Sequence, residues 1–253
     1  MKPVATRIQR LVFHLAVFCL LPQVRAQDLT DPHALKRLAM VELVASYDPS
    51  RRVTDKRVLA AMRKVPRHLF VPEPLTGQAY ADSPLPIGED QTISQPFIVG
   101  YMTQMFELQA TEKVLEGGTG AGYQAAILAE IAREVYTIEI IPSLARRAEI
   151  TLKGLGYKNV RVKAADGYQG WPRHAPFDAV IVTCAPDHIP EPLVRQLKVG
   201  GRMIIPVGPD LKGSPWFPQE LILVRKTKDG MKKEKQFDVR FVSMTGEAQK
   251  KQP

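Results

Sequence analysis

The stretch VLEGGTGAGYQAAILAEI, residues 114–131, decides the fold. Two apolar residues, Val114 and Leu115, run into an acid, Glu116, and glycine then stands at 117, 118, 120 and 122. Beyond the glycines, Ala125, Ala126, Leu128, Ala129 and Ile131 keep a helical apolar spacing. The stretch therefore reads as a strand, a glycine turn and a helix. Glycine accepts positive φ and has no Cβ to hold a ligand away from the backbone N–H groups. The N-terminus of the helix behind such a turn favours a negative group.

Working outward, the same alternation continues. EVYTIEI (134–140) is a strand rich in β-branched residues, and NVRVKAADG (159–167) is an alternating one. FDAVIVTCA (177–185) is a continuous apolar run, as a strand buried on both faces should be. RMIIPVG (202–208) is another strand. Helices are predicted over 122–132, 142–155 and 190–197, the last closed by Gly200-Gly201. ELILVRKT (220–227) and QFDVRFVSM (236–244) read as two late antiparallel strands separated by a turn at Asp229-Gly230. Strand-helix-strand alternation predicts an α/β fold with a parallel, Rossmann-like doubly wound sheet. On the N-terminal side, Asp31-Pro32 opens one helix and residues 55–64 form a second, ended by Val65-Pro66. Prolines at 66, 72, 74, 84, 86 and 96 make residues 66–96 read as extended or looped chain, with a helix resuming at Phe97.

A chain of 253 residues, 45% apolar and 24% charged, suits one large α/β domain. The net charge is +9, but Lys2, Arg7, Arg10 and Arg25 precede the first acid, and without them it is +5. Lys226, Lys228, Lys232, Lys233 and Lys235, then Lys250 and Lys251, carry much of the rest. No aromatic residues interleave with them as a base-stacking platform would need, so a solvated hairpin and tail are predicted, with no nucleic-acid partner. The basic start, the apolar run 11–21 and the small Ala26 after Val24-Arg25 have the layout of a signal peptide over 1–26. The apolar run is too short to span a bilayer, so no stable membrane anchor is expected. Cleavage would leave Cys184 as the one cysteine of the mature chain, which excludes a disulfide framework. The histidines show no metal-ligand spacing, so no metal is predicted.

Which ligand would the glycine turn hold? A dinucleotide fingerprint fails from Gly118, where Tyr123 is the sixth residue, and passes from Gly120 with Gly122 and Ala125. Glu139 ends the second strand, where a carboxylate can accept both hydroxyls of a ribose. That suits NAD and S-adenosyl-L-methionine alike. Asp166 ends the third strand and can take an adenine amino group, and a pyrophosphate gives no reason for Glu116. Taken singly, Glu116 could instead bind loop amides and Asp166 could cap a turn with Gly167. Together the three acids favour S-adenosylmethionine.

The segments VPRHLFVPE (65–73), LPIGEDQTISQPFIV (85–99), VLEGGTGAGYQAAILA (114–129), ADGYQGWPRHAPFDAVIVT (165–183) and LKVGGRMIIPVG (197–208) resemble the protein-L-isoaspartate O-methyltransferases. The resemblance runs from about residue 50 to Gly246, and QTISQP is its most specific part. It implies a class I S-adenosylmethionine-dependent methyltransferase fold over 27–253, with a helical and looped extension over 27–96. It also implies methyl transfer to the α-carboxyl of L-isoaspartyl residues in damaged proteins; separately from the resemblance, a monomer is expected. By position, Ser94 matches the family's active-site serine. Gly118, Gly120 and Gly122 match its cofactor loop, Glu139 its ribose acid, and Asp166-Gly167 its adenine contact; Glu116 and Thr119, beside those glycines, are further candidates for the cofactor. Ser94 could alternatively cap the helix that starts near Pro96. Cys184 and Ala165 depart from the family's usual alanine and glycine, and the leader departs from its usual cytoplasmic location. Two other readings stay open: an NAD-dependent oxidoreductase, and an exported S-adenosylmethionine-binding protein without turnover.

Overall fold

The structure is a computed structural model that describes residues 31–210 and 218–249. The predicted leader lies outside the described residues. Contacts divide the chain into Met1–Lys36 and one compact unit, Arg37–Pro253. In the first, the Asp31 carboxylate accepts from the His33 amide at 2.8 Å, and the chain enters helix α1 (Ala34–Ala45).

Within the compact unit, α1 buries Met40, Val41 and Val44. Helix α2 (Lys56–Lys64) starts where predicted, because Asp55 accepts from the Arg57 amide at 2.8 Å and so caps it. It stops at Val65, whose extended φ/ψ of −73° and 120° is what a following proline imposes. Residues 66–96 hold more order than predicted. Two 3₁₀ turns (Arg67–Phe70, Glu73–Gln78) precede an antiparallel hairpin of β1 (Leu85–Gly88) and β2 (Gln91–Ile93). Its turn residues Glu89 and Asp90 have φ of 55° and 54°, a conformation usually reserved for glycine or asparagine, so no turn signal announced it. The tip is tied down from outside: Glu89 accepts from the Ser143 hydroxyl at 2.7 Å, and Arg147 donates to the Ile87 carbonyl. Helix α3 (Pro96–Gln104) follows.

The main sheet has seven strands: β3 (Lys113–Gly117), β4 (Glu134–Glu139), β5 (Val160–Ala164), β6 (Phe177–Val182), β7 (Leu197–Val207), β8 (Gln219–Thr227) and β9 (Gly230–Val239). Their order is β5-β4-β3-β6-β7-β8-β9. The first five are parallel and the last two pairings antiparallel, as predicted. Crossover helices α4 (Tyr123–Ala129), α5 (Pro142–Gly154) and α6 (Glu191–Gln196) connect the parallel strands. Alternate strand residues enter two cores, as the pleat dictates. Val114, Ala179, Ile181 and Ile204 join the core shared with α1–α5, while Leu115, Val180, Val182, Met203 and Ile205 join the core under α6.

Gly200-Gly201 does not close the last helix. Both glycines lie inside β7, where the register against β6 slips between Phe177 and Ala179. The helix end is capped by Lys226 instead, whose ammonium donates to the carbonyls of Val194, Arg195 and Leu197 at 2.8, 3.1 and 2.7 Å. That lysine therefore does not belong to a merely solvated run. The run itself is strand: β9 starts at Gly230, six residues before the predicted QFDVRFVSM.

Candidate functional site

Strand order reverses between β3 and β6, which leaves a crevice beyond their carboxyl ends. The glycine turn fills it. Gly118, Gly120 and Gly122 all have left-handed φ, at 97°, 52° and 93°. A Cβ on Gly118 would stand 2.5 Å from the Thr183 hydroxyl, which itself donates to the Gly118 carbonyl at 2.6 Å. Gly122 is the last residue before α4, and a Cβ there would press on Leu152 and Ala148 of α5.

Glu139 is buried and holds the turn in shape. One of its oxygens accepts from the Gly120 amide at 2.8 Å, the other from the Ile141 amide at 3.0 Å. Each carboxylate oxygen keeps a lone-pair direction free. Glu116 is fully buried on β3, opposite Thr137 in register. Neither of its oxygens has a partner in full hydrogen-bond geometry among the described residues, although the Thr137 hydroxyl, engaged with Thr119, lies near enough to act on it. Burial pushes the Glu116 carboxyl up to about 8; Thr137 offsets this in part and the charge of Glu139 adds to it. Asp166 ends the third strand as predicted, but both its oxygens are used. They accept from the amides of Tyr168 and Glu247, at 2.9 and 2.8 Å. That is the turn-capping geometry weighed from the sequence.

These elements enclose a cavity. Ser94, Gly118, Thr119, Gly120, Glu139 and Gly167 line it, while Glu116, Gly122 and Asp166 sit behind its wall. Thr92 and Ile93 of the hairpin cover it, and Ser243, Met244 and Thr245 close the far side. Cys184 is half-buried on the wall, and desolvation together with the charges of Glu139, Asp166 and Glu116 pushes its thiol up to about 12, so it stays a protonated thiol at neutral pH. Among the described residues, no three His, Cys, Asp or Glu side chains gather as metal ligands.

Ser94 is placed by a residue the sequence did not single out. Arg67 is fully buried and donates to the Ser94 carbonyl and the Ala79 carbonyl, each at 2.8 Å. Its guanidinium lies 4.8 Å from the centre of the Tyr123 ring, at the start of α4. Burial lowers its pKa to about 10, which leaves it charged at neutral pH. Only its presence in VPRHLFVPE marked it, since a lone buried cation has no periodic signal. Ser94 does not cap α3. Asp82 does so, accepting from the Phe97 amide at 2.8 Å, while Gln95 donates to the same carboxylate at 2.8 Å. The Tyr47 hydroxyl donates to Asp82 as well. Beyond Ser94 a second cavity, of about 480 Å³, is lined by the rings of Tyr47, Phe97 and Phe237. It shares Thr92, Ser94, Thr183 and Val242 with the first.

Comparison with known proteins accords with this architecture. The profile of the family described as protein-L-isoaspartate(D-aspartate) O-methyltransferase matches residues 39–249. A protein-L-isoaspartate O-methyltransferase of Gloeobacter violaceus is 57% identical over 197 residues, covering 78% of this chain and 94% of its own. One from Picosynechococcus sp. is 52% identical over 218 residues, covering 85% and 93%. Among solved structures, a protein-L-isoaspartate O-methyltransferase superposes with a TM-score of 0.73 at 28% identity, over 83% of this chain and 66% of that longer one. A Plasmodium falciparum protein of the same description, in complex with S-adenosyl-L-homocysteine, gives 0.69 at 23% identity, over 85% of this chain and 99% of its own. Nothing in the site favours a dinucleotide oxidoreductase. On the match over most of its length, the chain belongs to the protein-L-isoaspartate(D-aspartate) O-methyltransferase family.

Proposed function

We propose that this chain transfers a methyl group from S-adenosylmethionine to the α-carboxyl of L-isoaspartyl residues in damaged proteins, with the glycine-turn cavity as the cofactor site and Ser94 at the point of transfer. The observation that carries the reading is the junction of two cavities at Ser94, one walled by the glycine turn and the buried acid Glu139, the other open and aromatic. The residues fit the cofactor. Glu116 is a buried acid with no hydrogen-bond partner among the described residues, able to ionise beside a cationic ligand, and Gly118 keeps the turn against Thr183 where a Cβ would collide. Gly118, Thr119, Gly120 and Gly167 would pack closely against it, the amides of the first three being engaged with the Ile138 carbonyl and Glu139, and Glu139 would accept from it through its remaining lone pairs. Glu116 and Asp166 would act from behind the wall, one by charge and one by fixing Gly167.

When bound, S-adenosylmethionine supplies a methyl already activated on a sulfonium. The acceptor carboxylate has an unperturbed pKa of about 4, so at neutral pH it needs no general base. The protein's work is positioning, which can supply roughly 7–11 kcal/mol of a barrier. Ser94 donates a hydrogen bond to the acceptor carboxylate and aims one oxygen at the methyl. Arg67 fixes the Ser94 backbone from below, and the β1–β2 hairpin keeps water off. The products are the α-methyl ester and S-adenosylhomocysteine. We extend the reading to export: the mature chain starts at Gln27 after removal of 1–26. N-terminal sequencing of the fractionated protein tests this, and a retained Met1 rejects it. The activity itself is tested with labelled S-adenosylmethionine and paired peptides. Methyl transfer to the isoaspartyl peptide but not to its aspartyl twin is expected; labelling of neither, with intact cofactor binding, would leave only a binding protein.

A further inference from the structure

The reaction uses Ser94 and the glycine turn and leaves the charged rim of the second cavity unexplained. A substrate chain whose reacting carboxyl lies at Ser94 leaves past the rings of Tyr47, Phe97 and Phe237. Arg51 stands on that wall, its guanidinium carbon 5.0 Å from the centre of the Phe237 ring. Phe237 is itself held by an edge contact with Tyr101 at 4.8 Å and a stacked contact with Phe97 at 6.1 Å. An aromatic face steadies a guanidinium while leaving its N–H edge open to a planar anion.

Three acids nearby are already engaged, and a fourth, Glu234, whose charge reaches Tyr101 as that of Arg51 does, stands exposed on β9 and makes no ion pair with Arg51. Asp48 is close enough for Arg51 to lower its pKa, yet its carboxylate is held first by the Ser50 hydroxyl and amide. Asp238, on the cavity wall, is paired with Lys235 at 2.8 Å. Asp82 accepts from Tyr47, Gln95 and the Phe97 amide. Among the described residues, no carboxylate lies within ion-pair distance of Arg51. Arg240 adds a second positive charge to the same wall.

We propose that Arg51 is a specificity-determining residue that receives a carboxylate from the substrate chain close to the isoaspartyl residue, so that acidic neighbours speed capture. This rests on the proposed function of the site. The shared chemistry is a carboxylate, from a flanking Asp or Glu side chain or from a chain end. Arg51 is exposed, so the effect is that of a solvated pair, about two- to five-fold in kcat/KM at low ionic strength. Added salt screens it.

The test compares isoaspartyl peptides amidated at the C-terminus, with either Glu or Gln within two residues of the isoaspartate on each side. A further Gln peptide ends in a free carboxylate just beyond. The Glu peptides are expected to exceed their Gln twins in the wild type, with the ratio falling to about one in R51Q, inverting in R51E and surviving in R51K. Because each ratio is taken within one protein, partial misfolding of a variant cancels. An advantage confined to the free-terminus peptide supports the subsite and assigns it to a chain end. Equal rates in the wild type, or a ratio that persists in R51Q, overturn the proposal. Methyl transfer to none of the peptides refutes the proposed function, and the Arg51 role with it.

Discussion

Replacing Glu116 by glutamine should stabilise the protein without cofactor while weakening its hold on the cofactor. The side chain is fully buried and its carboxyl pKa is pushed to about 8 from an ordinary 4.5. The folded-state value is the higher one, so the fold prefers the neutral acid. Relative to a group that never ionises, the wild type is unpenalised below pH 4.5, loses stability between pH 4.5 and 8, and changes no further above that. At pH 7 the gap is about two and a half pKa units, or about 3 kcal/mol. A protonated Glu116 and the amide that replaces it in E116Q differ by one buried N–H donor, so most of the desolvation cost is common to the two proteins. For a chain of this size, about 3 kcal/mol corresponds to roughly 6–12 °C in Tm. Thermal unfolding of wild type and E116Q between pH 4 and pH 9 measures it: the curves should meet near pH 4 and separate as pH rises. Titration with S-adenosylmethionine at pH 7, in buffers of different ionisation enthalpy, should show proton release by the wild type and none by E116Q, with weaker binding by the variant. An E116Q protein no more stable than wild type at pH 7, or as tight for the cofactor, would refute the reasoning.

Ser94→Ala should lower methyl transfer by one to two orders of magnitude, on the order of 1.4–3 kcal/mol, with cofactor affinity kept; unaltered turnover removes Ser94 from the site. Gly118→Ala meets both a φ of 97° and a contact of 2.5 Å with Thr183, so cofactor binding should be lost in calorimetry while circular dichroism still reports the fold. Cys184, with its thiol pushed up to about 12, should resist iodoacetamide at pH 8 in the native protein and react once unfolded. Arg202 clasps Glu112 with two bonds of 2.8 and 2.9 Å in a mostly buried setting, so Arg202→Met should destabilise by about 3–5 kcal/mol in urea unfolding.

Much of the sheet was legible because local rules and tertiary structure agree there. Val114-Leu115, the 134–140 run and the 177–185 run are strands by periodicity, and the glycines at 118, 120 and 122 supply the positive φ that the turn requires. The acids at the ends of β3, β4 and β5 share an edge because consecutive parallel strands are neighbours in this order. The hairpin over 85–93 was not legible, since its proline and its Glu89-Asp90 turn speak against it locally. Gly200-Gly201 was misread because a glycine pair inside a bulged strand looks like a helix stop.

The sequence alone determined the strand-turn-helix unit, the order of its acids and the serine-bearing segment, because these are properties of residues near one another along the chain. Tertiary structure decided what each acid does: Glu139 clasps the turn, Asp166 caps another, and Glu116 is buried with no full hydrogen bond among the described residues. It also brought Arg67 under Ser94 across 27 residues and Arg51 over Phe237 across far more. Burial and hydrogen-bond partners come from distant segments, and no spacing in the sequence records which of them will meet.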